Sequence, residues 1–271
     1  MDNVSKQIIC INWGNKYGAD YINRLYAMVA RNITPPFTFT CFTDNPQGIR
    51  QDVRAEPLPY LSFELPKTQK GIWPKCRLWN KTLADLSGPV LFLDLDVVIT
   101  GNLDCFFSFG KPDDVILARN PSNPLEKLGQ TSIYRFPVGK LVPLLDEFAK
   151  APLDVAETYK YEQRYVTRNA PGGVKFWPKP WVLHFRHHCR PTFPLNYVTQ
   201  AKCPASSKVV IFPGDLNPTD AIQGRYHSDE PIRTRREHLQ LLWKKGRNRS
   251  IPAHLRHYIL PTDWVANLWK E

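Results

Sequence analysis

The chain opens on an apolar run, Gln7 to Asn12, that reads as a buried strand. Gly14-Asn15-Lys16-Tyr17-Gly18 follows as a loop, and Ala19 to Arg31 then repeats apolar residues at the spacing of an amphipathic helix. Pro35-Pro36 interrupts the pattern before Phe37 to Phe42, a β-rich run ending on the turn-forming Thr43-Asp44-Asn45. After a proline-rich loop, the pattern predicts a helix over Lys75 to Leu86 and, beyond Gly88-Pro89, a strand at Val90-Leu91-Phe92-Leu93. That last run lacks polar alternation, as expected of a strand covered on both faces. Further strands are expected at Val115 to Ala118 and Ser132 to Phe136, and a helix at Val138 to Lys150. Strands and helices in this order predict an α/β fold. From Asp220 onward Lys and Arg become frequent, with Trp243, Trp264 and Trp269 among them, and Arg235 to Lys245 has helical character. The chain shows no internal repeat and no low-complexity tract.

Composition narrows the class of protein. Hydrophobic residues make up 42% of the 271, enough for a sizeable core. The longest apolar stretches, such as Val90 to Ile99, reach only about ten residues, too short for a transmembrane helix. The amino terminus has no signal-peptide pattern, so residence in the cytoplasm is expected. The six cysteines are scattered without a C-x-x-C pair and read as reduced structural thiols. A net charge of +11 points to an anionic partner: nucleic acid, an acidic membrane surface or a phosphorylated substrate.

Asp94 and Asp96 carry the candidate chemistry. They stand two residues apart at the carboxyl end of the apolar strand, where open α/β sheets bind ligands. Ionised groups there must be hydrated, paired with cations or bound to metal. Mg²⁺ or Mn²⁺ held by both carboxylates and completed by phosphate oxygens is a common way to hold a nucleotide diphosphate. The same pair also suits a haloacid-dehalogenase-type phosphatase, with one Asp as nucleophile and the other as acid-base. That motif usually lies on the first strand and continues with glycine-threonine, whereas here two strand-loop units come first and Val97-Val98 follow. A basic nucleic-acid-binding module is a third reading, but no zinc spacing, RNP motif or helix-turn-helix supports it, and no nucleic-acid partner is expected.

The segment from Phe92 to Asp104, Phe-Leu-Asp-Leu-Asp-Val-Val-Ile-Thr-Gly-Asn-Leu-Asp, resembles the LDxDxVVxxGxL stretch of retaining glycosyltransferases. The family is that of glycogenin and the bacterial lipopolysaccharide galactosyl- and glucosyltransferases. Ile11-Asn12 with Trp13 to Tyr17 resembles its first nucleotide loop, Phe42-Thr43-Asp44 the second, and Trp73-Pro74-Lys75-Cys76-Arg77 the basic segment before the metal strand. The similarity spans most of residues 7 to 220. It implies a GT-A fold, a Rossmann-like mixed sheet flanked by helices. Residues 1–220 would be the catalytic domain and 221–271 a basic, Trp-containing carboxyl-terminal extension. The implied activity is transfer of a hexose from a nucleotide diphosphate sugar, a UDP-sugar above all, to a glycan or glycolipid acceptor, with Mn²⁺ or Mg²⁺ as cofactor.

The resemblance also assigns roles. Asp94 and Asp96 would hold the metal, Asn12, Tyr17 and Asp44 would meet the nucleoside, and Lys75 and Arg77 the sugar or diphosphate. Thr131-Ser132-Ile133 resembles a strand touching the donor sugar, with Gln130 standing where the family has asparagine. Glu162-Gln163 resembles an Asp-Gln pair beside the reacting sugar carbon; carboxylates can stabilise oxocarbenium charge there. Val210 to Pro218 resembles the late strand and FxGxxKP turn that supplies a histidine ligand, yet Ile211 and Pro213 occupy the candidate positions and Asn217 replaces the lysine. Asp215 or His184 is then the candidate third ligand. The tryptophans beside basic residues in the tail suggest peripheral contact with an anionic membrane on its cytoplasmic face.

Overall fold

The computed structural model describes residues 6–67, 72–122, 125–212, 214–243 and 249–271. The chain divides into two compact units, one of residues 1–95 and 102–179, the other of residues 96–101 and 180–271. The boundary expected at residue 220 falls inside a helix of the second unit, Pro218–Gln223.

In the first unit, β1 (Lys6–Asn12), α1 (Ala19–Arg31), β2 (Phe37–Thr43) and β3 (Arg54–Pro57) follow in order. After a 3₁₀ segment at Trp73–Trp79 comes β4 (Pro89–Leu93), and β5 (Val98–Ile99) belongs to the second unit. The first unit resumes with α2 (Asp104–Ser108), β6 (Val115–Arg119), β7 (Gly129–Pro137), α3 (Val142–Lys150), α4 (Pro152–Tyr159), α5 (Glu162–Asn169) and β8 (Val174–Phe176). Its seven strands form one mixed sheet in the order β3-β2-β1-β4-β7-β6-β8. Strands β3, β2, β1 and β4 run parallel, whereas β7 is antiparallel to both β4 and β6.

Strand β1 lies between β2 and β4, and Ile8 to Ile11 are buried, which is why no polar residue interrupts them. Helix α1 follows the predicted bounds and buries Ile22, Leu25, Met28 and Val29 on one face. Each such side chain contributes roughly 1.5–3 kcal/mol on burial. The core then runs through Phe92, Tyr134, Phe136, Phe148 and Trp79, with Trp73 stacked on Phe148 at 4.7 Å.

Three local expectations are corrected. Lys75 to Leu86 is not an α-helix: residues 73–79 are 3₁₀, and Leu83 and Leu86 form an isolated bridge. Trp73, Cys76 and Trp79 are all buried and recur every three residues, the period of a 3₁₀ turn. Helix α3 begins at Val142 rather than Val138, after Gly139 with φ +80° and with Pro143 in the first turn. Strand β7 starts at Gly129, three residues before the expected Ser132, because Ala118 and Arg119 of β6 pair with Gln130 and Gly129 beyond a register shift.

The second unit contains a three-stranded sheet in the order β5-β10-β9, with β9 at Val182–His184 and β10 at Val209–Ile211. A single π-helical turn, Phe185–Cys189, leaves β9. Helix α6 (Pro218–Gln223) opens with a capping box in which Asn217 and Asp220 satisfy each other's backbone N–H groups. Helices α7 (Arg235–Gln240), α8 (Ile251–Arg256) and α9 (Asp263–Leu268) complete the unit, α7 and α8 opening on Thr234 and Ser250 as caps. The helix expected over Arg235 to Lys245 gives way at Leu241 to a short 3₁₀ turn, and Lys244 and Lys245 lie outside the described residues. Helix α9 packs on α6 and β5.

Candidate functional site

Asp94 follows the last residue of β4, its backbone N–H donating to Ser132 O at 2.9 Å, so the carboxylate emerges at the carboxyl end of a central strand. Its two oxygens lie 2.6 and 2.8 Å from Nζ of Lys75, which comes from the 3₁₀ segment and also reaches Thr131 O at 3.4 Å. Lys75 is 2% exposed, and a buried ammonium requires such a partner. Lys75, expected to meet the sugar or diphosphate, sits on Asp94. The Asp94 side chain keeps 16% of its exposure. Asp96, half-buried, begins the second unit.

Thr131, buried in β7, donates from Oγ1 to Glu162 Oε2 at 2.7 Å. Glu162 opens α5 at 3% exposure, and its Oε1 has no hydrogen-bond partner among the described residues. Burial pushes this carboxyl up to about 7 against the opposing pull of Lys75 and of the Thr131 hydroxyl, while Asp94 adds to the rise. An orphaned buried carboxylate oxygen is costly unless something polar approaches it. Lys75, Asp94, Thr131 and Glu162 therefore form one connected group in the first unit, drawn from four separate elements. Gln130 is buried beside Thr131 on β7, and Gln163 is half-buried on α5.

The residues expected at the nucleoside stand after or at the ends of β1 and β2. Asn12 Nδ2 donates to Tyr17 O at 3.2 Å, and Gly14 N–H donates to Asp44 Oδ2 at 2.9 Å. Gly14 has φ +64°, a conformation that favours glycine, and the Tyr17 ring packs 4.6 Å from Tyr21. Arg77 does not join the Asp94 group: it donates to Pro59 O at 2.6 Å.

The candidate third ligands lie in the second unit. His184 is buried, its Nδ1 has no hydrogen-bond partner among the described residues, and burial with the charges of His187, His188 and Arg186 lowers its pKa to about 3. Asp215 groups with His227 and Asp229, their ligand atoms all within 4.8 Å, a mixed oxygen and nitrogen set that a divalent cation accepts. Both oxygens of Asp215 are already engaged, Oδ1 by Arg186 at 2.8 Å and Oδ2 by His227 Nδ1 at 2.6 Å. Ile211 is buried in β10, and Pro213 lies outside the described residues. Asn217 is committed to capping α6, accepting from Thr219 and Asp220 N–H at 3.0 and 3.3 Å.

Of the three tail tryptophans, Trp269 is buried and Trp264 donates to Ala201 O at 3.0 Å, whereas Trp243 is 88% exposed. In sequence all three look alike, because their basic neighbours are visible there and α6 and β5, on which α9 packs, are not. No helix among the described residues is long and apolar enough to cross a membrane.

No protein-family model matches the chain, and no curated protein matches it in sequence. Its fold, however, has solved relatives. An active-site mutant of LgtC aligns at TM-score 0.54 and 16% identity over 82% of this chain and 90% of that one. The bifunctional glycosyltransferase WbbM, in its apo form, aligns at 0.55 and 12% over 80% of this chain and 47% of its own. The glycosyltransferase GlyE of Streptococcus pneumoniae TIGR4 aligns at 0.54 and 10% over 98% and 66%. Another structure shows the galactosyltransferase LgtC in complex with donor and acceptor sugar analogs, at TM-score 0.51 and 15% identity over 82% and 90%. With its seven-stranded mixed sheet flanked by helices, the chain has the GT-A-type fold that these glycosyltransferases share.

Proposed function

We propose that the protein transfers a hexose from a nucleotide diphosphate sugar, a UDP-sugar above all, to a glycan or glycolipid acceptor with retention of configuration. One observation carries the reading: the Asp94-Leu95-Asp96 pair leaves a central strand of a GT-A-type sheet, with Lys75, Thr131 and Glu162 gathered around Asp94. The LgtC complex with donor and acceptor analogs supports a site for both partners.

The donor set fits a hard divalent cation, since two carboxylates stand at an accessible strand end and Asp94 retains solvent contact. Asp94 and Asp96 would hold Mn²⁺ or Mg²⁺, which neutralises charge on a departing diphosphate. Lys75 holds the Asp94 carboxylate in place through its ion pair at 2.6 Å. The Oε1 of Glu162, without a hydrogen-bond partner among the described residues, would accept from a donor hydroxyl, with Thr131 fixing the other oxygen. Gln163 is the group proposed at the reacting carbon. Asn12, Tyr17 and Asp44 hold the loop at the ends of β1 and β2 where the nucleoside is proposed to lie. Asp215 is already shared between Arg186 and His227, so it acts as their brace in this reading, and diphosphate oxygens would supplement Asp94 and Asp96 in holding the metal.

The test is calorimetry with UDP and Mn²⁺ on Asp94→Asn and Asp96→Asn. Metal-dependent binding is expected to vanish in both while each variant stays folded. Undiminished affinity would remove the reading, and rapid hydrolysis of simple phosphate esters by the wild type would favour a phosphatase.

A further inference from the structure

The half of the first unit's sheet that lies away from β1 and β2 ends on positive charge. In the order β4-β7-β6-β8, strand β6 stands two spacings from β4, about 10 Å across the sheet. Strands β4 and β6 are both antiparallel to β7, and β8 is parallel to β6. Arg119 and Phe176, the last residues of β6 and β8, therefore emerge at the same end of the sheet as Asp94. Asn12 and Asp44, expected at the nucleoside, lie on the other side of β4, on or just after β1 and β2.

Two cations converge on Phe176. The ring pairs with Leu117 of β6, and Arg119, two residues further on, reaches it from the diagonal position with its guanidinium carbon 6.0 Å from the ring centre. Lys127 Nζ lies 5.9 Å from the same centre. Both stand at the outer limit of cation–π attraction, so the ring gathers these charges without satisfying them.

The neighbouring acids are already engaged. Arg164 donates to both oxygens of Glu126 at 3.1 and 3.2 Å, Arg168 adds a third bond at 2.9 Å, and Asp114 pairs with Lys175 at 2.7 Å. Neither Arg119 nor Lys127 has a carboxylate at ion-pair distance among the described residues. Both side chains are exposed, yet a merely solvated face would spread like charges apart, whereas these two share one ring. The backbone around Lys127 is also anchored. Glu126 ties it to α5, the helix that carries Glu162 and Gln163, while Asn120 N–H donates to Leu128 O and Gly129 N–H to Thr167 Oγ1, each at 2.9 Å.

We infer that Arg119 and Lys127, beside Phe176, recognise an anionic group on the acceptor, a carboxylate or a phosphate ester carried by the sugar that receives the hexose. The acceptor role rests on the transferase reading, whereas the anion-binding pair does not. A guanidinium offers a planar fork to two oxygens and an ammonium adds a point charge with rotatable donors, a combination that suits either group. The net charge of +11 would steer such an acceptor towards the protein.

The test is a ligand-observed NMR titration of the full chain at low salt with glucuronate, glucose 6-phosphate and glucose. Saturable binding of an anionic sugar is expected, with glucose weaker by about tenfold or more, as for loss of charge-assisted hydrogen bonds. Arg119→Gln and Lys127→Gln should each weaken the anionic sugar about tenfold, and Arg119→Lys and Lys127→Arg should keep part of the affinity. Tighter binding of glucuronate assigns a carboxylate, and tighter binding of glucose 6-phosphate a phosphate ester; either supports the inference. UDP with Mn²⁺ should leave the anionic sugar bound, and Asp94→Asn should bind that sugar as the wild type does. The inference is overturned if neither anionic sugar saturates, if glucose binds equally well, or if the two Gln substitutions combined leave affinity unchanged in a protein that melts like the wild type. Displacement of the sugar by UDP, or its loss in Asp94→Asn, would also overturn it, by moving the anion to the donor's place. A wild type that binds the anionic sugar but no UDP would remove the donor reading and leave the anion-binding pair standing.

Discussion

Replacing Lys75 by Met removes the ammonium from Asp94 while keeping most of the buried stem. The side chain of Lys75 retains 3% of its exposure and that of Asp94 16%, so the variant strands a largely desolvated carboxylate with Glu162 as its acidic neighbour. Breaking a buried pair by removing one partner costs about 3–5 kcal/mol, and the residual hydration of Asp94 puts the expected loss at the lower end, about 3 kcal/mol. At roughly 2–4 °C per kcal/mol, the unfolding transition of the first unit should fall by about 6–12 °C. A divalent cation should restore part of this loss, because Asp94 no longer has an ammonium on both oxygens. At one Mn²⁺ concentration, about a hundred times the variant's dissociation constant, the ion contributes about 2.7 kcal/mol to Lys75→Met, and the rise in melting temperature should be larger there than in the wild type, which binds it more weakly. Differential scanning calorimetry with and without Mn²⁺ measures both effects. The reasoning fails if the variant melts within about 2 °C of the wild type, or if Mn²⁺ raises the two proteins equally.

Three further outcomes are expected. Gln163→Ala should lower turnover far more than donor affinity, as steady-state kinetics beside UDP titration would show, because its proposed action is on the transition state. His238 and His254 stack at 4.0 Å, each ring Nε2 donating to the other's backbone carbonyl, and burial lowers the His238 pKa to about 4. The lowered value means that its contribution is full above the unfolded pKa of about 6.5 and is lost as pH falls towards about 4; urea melts across this range should show the slope and His238→Gln should flatten it. Removing residues 225–271 would take away α9, which packs on α6 and β5, so membrane contact is better tested with Trp243→Ser combined with Arg235→Ser and Arg236→Ser, all three positions being exposed. Co-sedimentation of the wild type with anionic vesicles at low salt, lost in this variant, is expected; equal sedimentation of both would assign any attachment elsewhere.

Much of the local order was legible in the sequence. Helix α1 could be read because its apolar spacing is satisfied by a single face, and β1, β2 and β4 because two-sided burial demands unbroken apolar runs. Asp94 and Asp96 were visible for the same reason, as charges placed where a buried strand ends. The short strands β9 and β10, of three residues each, carry too few positions to show a period.

The partners of the charged groups were decided only by the tertiary structure. Lys75 reads as one basic residue of a helix face, yet the three-residue recurrence of Trp73, Cys76 and Trp79 turns that segment into a 3₁₀ turn and drives the ammonium inward to Asp94. Asn217 reads as a substituted lysine, but it is the cap of α6. Glu162 finds its partner in Thr131, 31 residues earlier, and Arg186 in Asp215 and Tyr226, 29 and 40 residues later. Propensity and periodicity act within a turn or two of chain, whereas the choice of partner for a desolvated charge depends on which groups the packed core leaves within hydrogen-bond reach.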